Sequence, residues 1–262
     1  MAVYDVHCHI HETPDAYAVL EEHPDFSYCV QATNYDDWQA VAELKMLYPE
    51  RIVPAFGIHP WFVERLADGT IPDTWEADLR QLIALHGGII GECGLDKAAR
   101  NPATGQPYPF EPQIDLLKRQ LDIAADLGLP VSLHCVRAFG TMVDVLRDAE
   151  KQGKLPPRIM LHSYSGSPDM LRQIFLKGEL RRRVFVSFSQ FVNGRNADKS
   201  AKCMQAVPES RILVESDLHS ATDTIEALED IIAFVARARG WSRDNACERL
   251  AANARHFFVV ND

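Results

Sequence analysis

Short apolar runs alternate with longer stretches of helical period from one end of this chain to the other, and that alternation leaves few folds open. The runs fall at 3–10, 27–33, 52–58, 88–93, 130–135, 158–162, 183–188 and 211–215. Helical patterns lie between them at 36–48, 111–127, 141–151, 168–178, 199–207 and 224–239. The clearest is 111–127, where Ile114, Leu117, Leu121 and Ile123 recur near the 3.6-residue period that puts them on one face. Gly128 and Pro130 then stop that helix and start the next strand. Eight strands alternating with helices predict a parallel sheet closed into a single-domain (β/α)8 TIM barrel over residues 1–262. A doubly wound open sheet is the competing architecture, but no GxGxxG follows the first run to favour it. The polar, Pro- and Gly-rich stretch 96–112 reads as a functional loop within that domain rather than as a linker.

A barrel of this kind does its chemistry at the C-terminal ends of its strands. Here the first run ends in His7 and His9, the third meets His59, and the fourth ends at Glu92 and Cys93. The fifth carries His134, the sixth His162, and the eighth runs into Asp217. Side chains two apart on a strand share a face, so His7 and His9 enter the barrel together. Imidazoles with carboxylates at one end suit zinc, manganese or a similar divalent ion. Two further histidines and a carboxylate able to bridge suggest a second ion. A lone strand-end histidine is ordinarily a hydrogen-bonded structural residue, and only the whole set reads as a site. The same alternation turns Cys8, Cys93 and Cys135 outward, as packing residues.

Basic and aromatic residues follow the same logic of position. Lys97, Arg100, Arg137, Arg195 and Lys199 follow strands, as do Trp61, Phe62, Phe139, Tyr164 and Phe191. Cations with aromatic platforms suit the end of a nucleic-acid single strand, where bases stack and phosphates are paired. The run Arg181, Arg182 and Arg183 precedes a strand, so it belongs to a solvated turn at the opposite end. A formal net charge of −10 argues against a surface built throughout for nucleic acid, though not against a local anion site beside bound metal. Six scattered cysteines without a CxxC pair favour a reducing compartment. The opening MAVYDVHCHIHE lacks a signal-peptide pattern, and no run approaches the ~20 apolar residues of a membrane span. The expectation is a soluble protein of the cytoplasm or nucleus, not a membrane protein.

The motifs DVHCHI, GIHPW, GECGLD, GLPVSLHC, LHSYSG and RILVESD, followed by NARHFF, together resemble the TatD family of metal-dependent DNases. They cover nearly the whole chain in the family's order, and the resemblance is closest to a eukaryotic, fungal-type branch. It implies an amidohydrolase-like barrel holding one or two divalent ions (zinc, magnesium or manganese) and acting on single-stranded DNA ends as a 3′–5′ exonuclease. Position by position, His7 and His9 match the family's HxH, and Glu92 matches its metal-bridging glutamate. His134, His162 and Asp217 complete the metal set. Catalytic roles then fall to Glu92 and to Asp217, as ligand and proton acceptor for the attacking water. His59, Arg137, Tyr164 and Arg195 are the expected substrate contacts. This chain departs from the family in ESDLHSA, which gains His219 where a proline is usual, in the long segment after GLD, and in His11. Those departures leave open a hydrolase of a small ester, lactone or amide, or a barrel kept as a protein-interaction module.

Overall fold

A computed structural model describes residues 3–258; residues 1–2 and 259–262 of the expected domain lie outside the described residues. Its strands are β1 (Val3–Cys8), β2 (Phe26–Gln31), β3 (Ile52–Phe56), β4 (Ile89–Asp96), β5 (Val131–Val136), β6 (Ile159–Leu161), β7 (Val184–Ser189) and β8 (Ile212–Glu215). They form one parallel sheet in sequence order. The ring is drawn together at the β1–β8 seam, where Asp217 N donates to His7 O (3.0 Å) and His9 N to Leu218 O (2.9 Å). Every run expected to be a strand is one, within a few residues. The largest difference is β4, which runs three residues past Cys93 and so carries Asp96 at its end rather than at the start of a loop.

Helices cover the outside of the barrel. The expected patterns appear as Trp38–Leu47, Phe110–Leu127, Phe139–Lys151, Ala197–Ala206 and Ala221–Arg239. The segment expected at 168–178 is instead one short turn, Pro168–Met170, widened into a π-turn over Leu171–Phe175. Ala16–Glu22, Trp75–His86 and Arg243–Phe258 are helices that the periodicity did not reveal. The last of these closes the N-terminal end of the barrel. Its Ala254 and Phe257 join an interior layer built from Val6, Cys29, Ala55, Ile89, Met160, Phe185 and Leu213, which come from seven of the strands. No helix among the described residues is long and apolar enough to cross a membrane.

Simple alternation does not explain how β1 and β4 reach the site. Val6 belongs to the interior layer, yet the adjacent His7 also faces inward. The ladder supplies the reason: between the pairs Asp5–Tyr28 and Cys8–Val30, two residues of β1, Val6 and His7, oppose the single Cys29 of β2, a bulge that restarts the alternation. A second break lies between Ile90 and Cys93 on β4 and does the same for Glu92. Gly94 is required just beyond it. A Cβ there would sit 2.0 Å from the carbonyl oxygen of His134, at a φ of +154° that disfavours side chains.

Asp5 fastens the seam from inside. Its fully buried carboxylate accepts from Ser216 N (3.0 Å), Ser216 Oγ (2.5 Å) and His7 N (3.2 Å). Burial pushes its pKa up to about 7. Truncation would strand three buried donors, two of them next to expected metal ligands. Asp5→Ala is therefore expected to destabilise the chain by about 3 kcal/mol, read from the denaturant midpoint at unchanged slope. A shift below about 0.5 kcal/mol would mean that the seam does not depend on this carboxylate.

Candidate metal centre

Glu92 stands at the middle of the C-terminal face, 3% exposed, with an imidazole nitrogen on nearly every side. Its Oε2 lies 3.3 Å from His7 Nε2 and 3.5 Å from His9 Nε2. Its Oε1 lies 2.8 Å from His162 Nε2, 2.9 Å from His134 Nδ1 and 3.5 Å from His59 Nε2. One carboxylate oxygen thus faces each of two histidine groups. Asp217 Oδ1 joins the first group, 3.8 Å from His7 Nε2. His7, His9 and Asp217 bring one donor atom each within 4.8 Å of the others, and so do His59, Glu92 and His134.

Each ring is held from behind. His9 Nδ1 lies 3.0 Å from the Gln31 carbonyl oxygen, an acceptor only, so Nδ1 carries the proton and Nε2 presents a lone pair. His7 Nδ1 is 3.0 Å from Ser132 Oγ, while its Nε2 is buried without a hydrogen-bond partner. An orphaned imidazole nitrogen facing two carboxylates fits a cation better than it fits an apolar core. His59 differs from the others. Its Nδ1 accepts from Trp61 N (3.3 Å), which leaves the proton on Nε2, toward Glu92. In its neutral form His59 is a hydrogen-bond donor to the centre rather than a ligand.

Two carboxylates orient the remaining rings. Asp96 Oδ2 lies 3.3 Å from His134 Nε2 and accepts from Trp61 Nε1 (2.9 Å), while Oδ1 accepts from Ala98 N and Ala99 N. Burial works against the Asp96 charge, but the His134 and Trp61 hydrogen bonds outweigh it and hold the carboxyl low. Glu215, wholly buried, takes Ser163 N at 2.5 Å and stands 3.5 Å from His162 Nδ1. Both residues stand within the motifs GECGLD and RILVESD, where strand pattern alone assigns neither a role. The available signal was an acidic residue inside an otherwise apolar strand, which the fold buries only with a partner. Asp96→Asn turns an amide toward two donors, so it is expected to weaken divalent-ion affinity about 10- to 100-fold. An unchanged dissociation constant in equilibrium dialysis would leave Asp96 with a folding role alone.

Charge at the centre is shared between Glu92 and the rings. Burial opposes ionisation of Glu92, but His162, His59 and His7 outweigh it and hold the carboxyl well below its usual range. Burial likewise opposes the charged form of His162, yet Glu92 and Glu215 hold its pKa well above the ordinary value. His9 goes the other way, pushed down to about 3 by burial. Burial raises Asp217, with Glu215 and Glu92 adding to it. A cation here would replace the protons that now balance this set.

Backbone strain collects at the same end. Arg137, Ser163 and Asp217 are the described non-glycine residues with positive φ, and they follow β5, β6 and β8. The Ser163 turn sends its hydroxyl to Asp217 Oδ2 (2.8 Å) and the next side chain, Tyr164, outward. Tyr164 is consequently 2% exposed, packed against Phe139 and Phe175, with its hydroxyl donating to Ser167 O. The Tyr164 ring, expected as a substrate contact, thus lies behind the site wall and outside the cleft lining. Arg137 is exposed after β5, outside the cleft lining. Lys97 lies over the Phe110 ring, and Arg100 bonds Gly105 O within the 97–109 loop, so neither enters the cleft.

The cleft above the centre has a volume of about 700 Å³. Its floor is His9, His59, Glu92, His134, His162 and Asp217, and its walls include Trp61, Phe62, Phe191, Arg195 and His219. Trp61 and Phe191 are 45% and 58% exposed, and the Arg195 guanidinium lies 4.3 Å over the Phe191 ring. The structure therefore brings His59 and Arg195 to the expected metal set and leaves Arg137 and Tyr164 away from it.

The profile of TatD related DNases matches residues 4–259. Cut9-interacting protein scn1 of Schizosaccharomyces pombe is 25% identical, covering 99% of each chain. The 3′-5′ ssDNA/RNA exonuclease TatD of Erwinia tasmaniensis is 26% identical over 87% of this chain and 86% of its own. Among solved structures, YJJV, a TatD homolog from Escherichia coli, superposes with a TM-score of 0.78 at 24% identity, covering 98% of this chain and 97% of its own.

Proposed function

This chain belongs to the family of TatD related DNases, and from that premise we propose that it is a divalent-metal-dependent phosphodiester hydrolase trimming single-stranded DNA from the 3′ end. The observation that carries the reading is Glu92, whose two oxygens each face a separate group of imidazoles. His7, His9 and Asp217 would hold one divalent ion and His134 with His162 a second, with Glu92 between them. Such ions, zinc, manganese or magnesium, polarise a phosphoryl oxygen and lower the pKa of water.

The chain's own residues supply the rest. Asp217 Oδ2 is fixed by Ser163 Oγ, so Oδ1 is the oxygen that faces the reaction space and takes the proton of the attacking water. His59 offers Nε2–H to the anionic substrate from the far side of Glu92. The open cleft with Trp61 and Phe191 on its walls suits an unpaired base, and Arg195 beside Phe191 suits its phosphate. The Erwinia relative, a 3′-5′ ssDNA/RNA exonuclease, supports the same polarity and strandedness. All six cysteines are free, which suits the cytoplasm or nucleus as the working compartment.

A 5′-labelled single-stranded oligonucleotide, incubated with magnesium, manganese or zinc, tests the proposal. The expected result is a ladder shortening from the 3′ end that disappears with chelator. An intact oligonucleotide under every ion, with turnover of generic carbonyl esters, would move the assignment to the small-ester, lactone or amide reading. Metal binding without either activity would favour the interaction barrel.

A further inference from the structure

We propose that a separate divalent-cation site, formed by His11, Glu12 and Asp37, lies beside the catalytic centre and shares none of its ligands. The three residues come from different parts of the fold. His11 and Glu12 lie in the 3-10 turn Ile10–Glu12 after β1, and Asp37 ends the turn Tyr35–Asp37 after β2. One donor atom from each falls within 4.8 Å of the other two.

His11 makes the cluster more than a meeting of acids. Its side chain is 2% exposed, and neither ring nitrogen makes a hydrogen bond. Nε2 stands 3.6 Å from Asp37 Oδ2, too far for a hydrogen bond but close to the separation of two ligands on one ion. Folded chains satisfy buried imidazole nitrogens, and a ligand that belongs between His11 and Asp37 would account for this orphan. Asp37 is already positioned as ligating carboxylates are. Its Oδ2 accepts from Thr33 N (2.9 Å), Thr33 Oγ1 (2.8 Å) and Asn34 Nδ2 (3.2 Å), and its Oδ1 from Asn34 N (3.2 Å) alone, which fixes its plane and leaves Oδ1 the less engaged oxygen. One imidazole with two carboxylates favours zinc or manganese over calcium.

The site would also shape the cleft. Glu12 accepts from His219 Nδ1 at 2.7 Å, and the His219 ring stacks on His9 with centroids 4.7 Å apart. Glu12 and His219 both line the cleft. An ion on Glu12 would therefore fix the wall that His219 forms. His11 and His219 are departures from the usual family motifs, and the fold puts them in contact with the same carboxylate neighbourhood.

The test is zinc-edge anomalous diffraction from crystals of the unaltered protein stripped by chelator and returned to micromolar zinc. A peak between His11, Glu12 and Asp37, separate from any at Glu92, is the expected result. No peak there, with density at the catalytic centre, overturns the proposal and leaves His11 paired with Asp37. A peak seen only at millimolar zinc also overturns it. Tightly bound zinc should fall by one ion per chain in His11→Phe and in Asp37→Asn, while His7→Asn retains the peripheral peak. An unchanged count in a folded variant counts against the site.

Discussion

Glu92→Gln is expected to lower nuclease turnover on the order of 10³-fold and to reduce the divalent-ion content of the protein at the same time. The argument is electrostatic. Glu92 is the anion nearest to His7, His9, His59, His134 and His162, at 2.8 to 3.5 Å. A glutamine keeps the shape but presents one acceptor and one N–H₂ donor. Whichever way the amide turns, one imidazole group faces a donor where it faced an oxygen. Any divalent ion held by these imidazoles would then lose its nearest balancing charge, and its binding would weaken. Metal analysis beside the oligonucleotide assay decides the matter. Full turnover with full metal content in the variant would remove Glu92 from the centre of the mechanism. Loss of turnover at unchanged metal content would make it a catalytic group but not a ligand.

The barrel was legible because apolar runs and helical periods are set by burial, and burial is a property of local pattern. His7, His9, His134 and His162 were legible for a related reason: a polar residue at the end of an apolar strand has one sensible place to go. What the pattern hid are events at which alternation breaks. The bulge at Asp5–Cys8 lets Val6 and His7 both face inward and the one at Ile90–Cys93 brings Glu92 in, and no two-residue period contains that information. The position of Tyr164 was hidden for the converse reason. The positive φ of Ser163 rotates the chain after β6, so a residue adjacent to the site in sequence lies behind it in space. Asp96 and Glu215 were hidden because their partners, His134, Trp61 and Ser163, are distant in sequence. Helix Trp75–His86 was missed although Trp75, Leu79 and Ile83 recur every four residues, because 63–74 contains no strand to announce it. Resemblance to family motifs supplied what pattern alone did not, namely that Glu92 lies between the two histidine groups.

Asp217→Asn separates ligand from base, and the largest change should appear in rate rather than in metal. Asparagine retains the side-chain oxygen and fits the same left-handed backbone, which asparagine tolerates about as well as aspartate. With its amide nitrogen turned toward Ser163 Oγ, the hydroxyl has only to rotate, and the oxygen keeps the Oδ1 position near His7 Nε2. Ion binding can therefore persist, weakened by the lost charge but not abolished. A neutral amide cannot take a proton from water, and general-base catalysis contributes roughly 10²- to 10⁴-fold. The expected result is a fall of that size in kcat/KM, carried by kcat, at an ion concentration that restores wild-type occupancy. The pH profile gives an independent reading. If Asp217 is the base, the acidic limb of the wild-type profile should vanish in the variant rather than shift. Equal losses of rate and occupancy, with the limb intact, would leave Asp217 a ligand only and move the proton to another acceptor. Glu215 is a poor substitute, since it is fully buried beneath the floor and engaged by Ser163 N. His219 would then be the group to replace next, because it lines the cleft two residues on and already faces Glu12.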